Sequence, residues 1–122
     1  MSEKDILQIF KDSGALLDGH FILTSGKHSP HYIEKFRVLE HPKFTETLCK
    51  ELALKFEKDD VTLVAGPMTG GILLAYEVGK NLDTMAIFTE RVEGKMKFRR
   101  GFKVNSDDRV LIVEDIISTG GS

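Results

Sequence analysis

Apolar positions along this chain follow two different rhythms, one helical and one strand-like. Ser2 is followed three residues on by Asp5 and then by Ile6, Ile9 and Phe10, which predicts a capped amphipathic helix. Gly14 is its expected stop. Residues 20–24 and 31–38 are predicted to be short extended segments on either side of a turn-like Ser25-Gly26-Lys27-His28-Ser29-Pro30. Pro42 suits a first helical turn, and Phe44, Leu48, Leu52 and Phe56 follow at four-residue steps on one helix face. Beyond them, Val61 to Ala65 is a short apolar run of buried-strand type, broken at Gly66-Pro67-Met68-Thr69-Gly70-Gly71. A helix is predicted over 72–82, a strand over 84–89, a polar basic loop over 91–103 and a strand over 109–113 that ends in Glu114-Asp115. Strand, helix, strand, loop, strand is the order of a parallel α/β sheet. Ligands of such sheets bind beyond the carboxyl ends of the strands, where the two most informative loops fall.

Composition narrows the classes. A length of 122 residues fits one domain, and 41% apolar with 30% charged residues is an ordinary globular balance. A net charge of -2 gives no bulk positive field for nucleic acid. No apolar run approaches a bilayer-spanning length, and the charged, amphipathic N-terminus does not read as a signal peptide. The single Cys49 cannot form an intrachain disulfide and is expected to be a small buried hydrophobe on a helix. These features point to the cytoplasm.

Candidate chemistry is densest in the last segment, where a strand ends in two acids followed by Ile116-Ile117-Ser118-Thr119-Gly120-Gly121-Ser122. Glycines let backbone N–H groups turn towards an anion, and Ser and Thr add side-chain donors. A helix beginning afterwards would aim its positive end at the same anion. A carboxylate only accepts hydrogen bonds, so Glu114 and Asp115 suit the vicinal hydroxyls of a sugar. Phosphate plus diol is a ribose 5-phosphate. Each feature alone is also compatible with a simple turn or a solvated acid pair; it is the ordered run that is specific. That run resembles the phosphoribosyl-diphosphate motif of the type I phosphoribosyltransferases.

Three further segments gain meaning from the resemblance. The Gly66–Gly71 loop lacks the Gly-Lys-Ser/Thr ending of a Walker loop and by itself is equally a strand-to-helix turn. In the family this loop contacts diphosphate through backbone groups, which marks Met68, Thr69 and Gly70. The stretch from Glu90 to Lys103 carries six basic residues and two glycines, and reads either as a solvated hairpin or as a cationic flap that closes over a diphosphate leaving group. It resembles the catalytic loop of orotate phosphoribosyltransferases. Arg91 and Lys95 match the diphosphate-binding positions, Val92 stands where many members have lysine, and Lys97 lies near a position that is histidine in others. Finally, Leu16 to Tyr32, with Ser25-Gly26-Lys27-His28-Ser29-Pro30, resembles the N-terminal hood of the same family; His28 sits where several members carry a substrate-contacting lysine, and Lys27 adjoins it. Cationic donors there suit the carboxylate of orotate.

The resemblance covers about residues 16–122. It implies an α/β, parallel-sheet type I phosphoribosyltransferase fold with a small N-terminal hood: a single domain over 1–122, with the hood at 1–40 and an incomplete core at 41–122. It implies Mg²⁺-dependent transfer of ribose 5-phosphate from phosphoribosyl diphosphate to orotate, through an oxocarbenium-like transition state and without a protein nucleophile. Lys95, Glu114 and Asp115 would be central to the reaction. Ser118, Thr119, Gly120, Gly121 and Ser122, with Ile116 and Ile117, would hold the 5-phosphate. Arg91 and Lys97 would meet diphosphate, and the metal would be held mostly by substrate oxygens and water rather than by protein ligands. A homodimer sharing the basic loop between subunits is implied, with no nucleic acid or membrane as partner. Full members of the family continue well past Ser122, so the chain is expected to be a shortened form, marginal in stability and weak or inactive. Two alternatives stay open: a sister enzyme for a purine or uracil, and a non-catalytic regulator with this fold that binds nucleic acid.

Overall fold

The computed structural model describes every residue from Met1 to Ser122 and falls into two compact units, 1–45 and 46–122. In the first, α1 (Glu3–Asp12) is capped as expected: Ser2 and Asp5 each accept from the other's backbone N–H. Gly14 turns the chain with φ +78. An antiparallel hairpin of β1 (Leu16–Ile22) and β2 (His28–Ile33) follows. The turn is shorter than the sequence suggested. Ser29 and Pro30 belong to β2, since a proline without an N–H is tolerated in a two-stranded ribbon where one backbone edge is unpaired. Residues 35–38 are also not extended. They form the short helix α2 (Lys35–Leu39), started by the Glu34 side chain accepting from the Phe36 N–H and burying Val38 and Leu39. Helix α3 (Pro42–Leu54) begins at its proline and stops short of Phe56.

The second unit is a four-stranded sheet in the order β5-β4-β3-β6. β3 (Leu63–Pro67) is central and parallel to both β4 (Met85–Val92) and β6 (Val110–Ile112), while β5 (Lys95–Phe98) is an antiparallel edge. Helix α4 (Gly70–Leu82) crosses between β3 and β4, as parallel pairing requires. Alternation along β3 sends Val64 to one face, with Cys49 and Ala53 of α3, Ala75 and Val78 of α4, and Val113. Leu63 and Ala65 go to the other face, with Ile87, Val110 and Phe102. Cys49 is a buried core residue as expected, and burial followed by the neighbouring Glu77 pushes its thiol up to about 11.

Strand and helix limits differ from the sequence pattern in three places. Glycine was read as a breaker, yet all five residues of β3, including Gly66 and Pro67, are buried, and Gly66 pairs with Phe88. Likewise α4 starts at Gly70, and at Gly70 and Gly71 only bare backbone fits. β4 runs on to Val92 because β5 supplies a partner for its end.

Candidate functional site

Two loops meet at the carboxyl end of the parallel strands. The first leaves β3 at Pro67 and enters α4. The Met68 N–H donates to the Thr89 carbonyl at 2.9 Å, which ties it to β4, and the Met68–Thr69 peptide is cis. The glycines around it have no room for side chains. A Cβ on Gly66 would stand 2.6 Å from the carbonyl carbon of Gly71, and one on Gly71 would stand 2.7 Å from Cδ of Pro67. A Cβ on Gly70 would strike the Asp115 side chain, 2.8 Å from its carboxyl carbon. Gly70 and Gly71 are both buried, whereas Met68 and Thr69 are exposed beside them.

The second loop leaves β6. The Val113 N–H donates to the Ala65 carbonyl at 2.9 Å, so the acid pair begins where β3 is still firmly held. Each acid folds back on the next residue: the Asp115 N–H donates to Glu114 Oε1 at 2.9 Å, and the Ile116 N–H to Asp115 Oδ1 at 2.8 Å. Both acids are half-buried; Ile116, Ile117 and Ser118 to Ser122 are exposed. Gly120 has φ +81, a left-handed conformation that favours glycine in such a loop. The structure therefore brings Gly70 and Asp115 into contact, two positions that are 45 residues apart in sequence.

The basic segment is a hairpin rather than an irregular loop. Glu93 and Gly94, with φ +51 and +80, form a two-residue turn of the type that matches strand twist. Directly opposed residues of an antiparallel pair share a face. Val92 opposes Lys95, Glu90 opposes Lys97 and Arg91 opposes Met96. Lys95 and Lys97 thus share one face, and Arg91 lies on the other, donating to the Gly94 carbonyl at 3.0 Å. These three cations are not gathered around one point within the hairpin. Sequence reading also missed how the hairpin is anchored. Arg100 makes a two-pronged bond to Glu90, at 2.9 and 3.1 Å, and lies over Phe88, which meets Phe102 edge-on. The Arg100 bonds hold the Glu90 carboxyl below its usual range. Period-two alternation of Phe88 and Glu90 was the signal available.

In the first unit, Lys27 lies at the β1–β2 turn and its carbonyl accepts from the Leu23 N–H at 2.8 Å. Nδ1 of His28 stands 2.6 Å from Nε2 of His20, a residue not singled out from sequence. His31 pairs with Asp18 at 2.9 Å, and Phe21 stacks on Tyr32.

No group of three or more His, Cys, Asp and Glu side chains is placed to hold a metal ion. Glu114 and Asp115 are hard oxygen donors that fit Mg²⁺ only alongside oxygens from elsewhere. No helix is long and apolar enough to cross a membrane.

No family model matches the chain. Individual proteins do. Over all 122 residues the chain is 51% identical to the orotate phosphoribosyltransferase of Desulforamulus reducens. That likeness runs the whole length of the chain. The chain spans 64% of that relative's length. The fold agrees. The Leishmania donovani UMP synthase structure matches 98% of the chain and 26% of its own length, with a TM-score of 0.76 at 22% identity. The adenine phosphoribosyltransferase of Trypanosoma brucei matches 99% of the chain and 59% of its own length, with a TM-score of 0.70 at 16% identity. The sheet is thus a type I phosphoribosyltransferase sheet, mostly parallel as expected and with β5 as the antiparallel exception.

Proposed function

We propose that this chain carries the phosphoribosyl site of an orotate phosphoribosyltransferase, transferring ribose 5-phosphate from phosphoribosyl diphosphate to orotate and releasing diphosphate. The observation that supports it most is the contact between Gly70 and Asp115, which joins a bare-backbone loop and an acid pair at one end of the sheet. Glu114 and Asp115 accept from the two ribose hydroxyls. Residues 116–122 receive the 5-phosphate through backbone and hydroxyl donors. Met68, Thr69 and Gly70 present main chain to the diphosphate, where a side chain at residue 70 would intrude. Lys95 and Lys97 approach the leaving group from one face of the hairpin and Arg91 from the other, so closure that uses all three requires the hairpin to insert edgewise or to serve two sites. The C1–oxygen bond to diphosphate breaks as a ring nitrogen of orotate bonds to C1, and no protein nucleophile intervenes. Mg²⁺, held mainly by substrate oxygens and water, supplies charge neutralisation at the diphosphate. Lys27 and His28 belong to the base-binding hood at 1–40, and the remainder to the core. We further place the working enzyme in the cytoplasm as a homodimer.

The test is to follow the ultraviolet absorbance of orotate with phosphoribosyl diphosphate and Mg²⁺ present. A steady loss that requires all three supports the reading. Preferential consumption of uracil or a purine in competition would overturn the choice of base. No loss, both for this chain and for the chain extended to the length of its relatives, would overturn the activity. Salt-dependent RNA or DNA binding in its place would favour the non-catalytic regulator.

A further inference from the structure

The β1–β2 hairpin contains a one-residue irregularity with a chemical consequence. Near its open end Asp18 opposes His31, but near the turn Phe21 opposes Ser29 and Ile22 opposes His28. One extra residue lies on β1 between Asp18 and Phe21. Without it His28 would oppose Phe21, and its ring would share a face with Phe21, away from His20. With it, His28 opposes Ile22, and His20, two residues from Ile22, lies on the same face as a diagonal neighbour. The result is the 2.6 Å approach of His20 Nε2 to His28 Nδ1, with ring centroids 4.7 Å apart and edge-on.

We infer that His20 is a positioning residue that holds His28 in one tautomer. At that distance one nitrogen must donate and the other accept. If His20 donates, His28 Nδ1 is the acceptor and its proton sits on Nε2, the only ring nitrogen left for a ligand. An N–H there recognises an anionic oxygen; a bare nitrogen repels it. The nearby charges suit an anion beside His28. Asp18, the one carboxylate on the two strands, is engaged by His31 at 2.9 Å, and Lys27 immediately precedes His28. The ligand chemistry that fits is a carboxylate, as orotate carries. This rests on the orotate reading above and adds to it the residue that sets the donor.

The experiment uses this chain, its His20→Phe variant, which keeps a ring but no nitrogen, and its His20→Gln variant, whose amide can still donate. Ring nitrogen NMR reads the His28 tautomer directly, and orotate titration reads affinity. The expected result is His28 protonated on Nε2 in the unaltered chain and in His20→Gln, and a mixture in His20→Phe. Orotate affinity should fall in His20→Phe by the fraction of His28 that loses its Nε2 proton, about twofold for an even mixture, and recover in His20→Gln. A His28 tautomer that ignores the Phe substitution, or that carries its proton on Nδ1 in the unaltered chain, overturns the inference whatever the activity. A tautomer that follows His20 while none of the three proteins binds orotate overturns the choice of base instead.

Discussion

The glycine loop after β3 and the β1–β2 hairpin are both candidate binding elements, but they are held in opposite ways. The loop is held by exclusion: Gly66, Gly70 and Gly71 lie where neighbouring backbone, proline ring and carboxylate leave no space. The hairpin is held by attraction between exposed or half-buried groups, His20 with His28, Asp18 with His31, and Phe21 with Tyr32. Exclusion fixes a shape at high cost of change. Exposed polar pairs each contribute little and can be altered singly. The region proposed to grip a phosphate should therefore tolerate almost nothing, and the region proposed to select a base should be tunable.

The largest expected effect breaks the rigid half. Gly66→Ala drives a methyl into the Gly71 backbone, which cannot give as a side-chain tip could, and should cost about 3 kcal/mol of stability in chemical denaturation, at the upper end for overpacking. Next comes Asp115→Asn. It keeps shape but loses a charged acceptor, so affinity for phosphoribosyl diphosphate should fall roughly 10- to 100-fold by calorimetry, with the melting temperature little changed. On the tunable side, Ser2→Ala removes the capping box of α1 and should cost about 1 kcal/mol in the melt, leaving ligand affinity unaltered.

The smallest effect concerns the basic hairpin. The Glu90 carboxyl is held below its ordinary value by Arg100, so its contribution is fully present above the usual carboxylate range and is lost as pH falls through the lowered value. Hydrogen exchange of amides 91–98 should therefore show the hairpin loosening as pH falls through the lowered Glu90 value, below the usual carboxylate range. Glu90→Gln should bring the same loosening at neutral pH.

Much of this was legible in the sequence because local rules decided it. The Ser2–Asp5 box, the proline that opens α3 and the alternation of strands and helix in the second half all follow from local spacing. The acid pair and the Ser-Thr-Gly-Gly-Ser loop were legible because their order is rare. What escaped depends on contacts across the chain. Glycine inside β3 reads as a break until Phe88 is found opposite Gly66. The helix at 35–39 reads as strand until Glu34 is seen capping it. The division of Arg91 from Lys95 and Lys97 needs the hairpin register, and the pairing of His20 with His28 needs one extra residue in β1.

The central claim is that two segments 45 residues apart form one phosphate- and ribose-binding site. Amide NMR of this chain, titrated with phosphoribosyl diphosphate and Mg²⁺, tests it most directly. The account predicts that residues 68–71 and 114–122 shift together along a single saturation curve. Shifts confined to the basic residues of the 91–103 hairpin, with both loops silent, would contradict it.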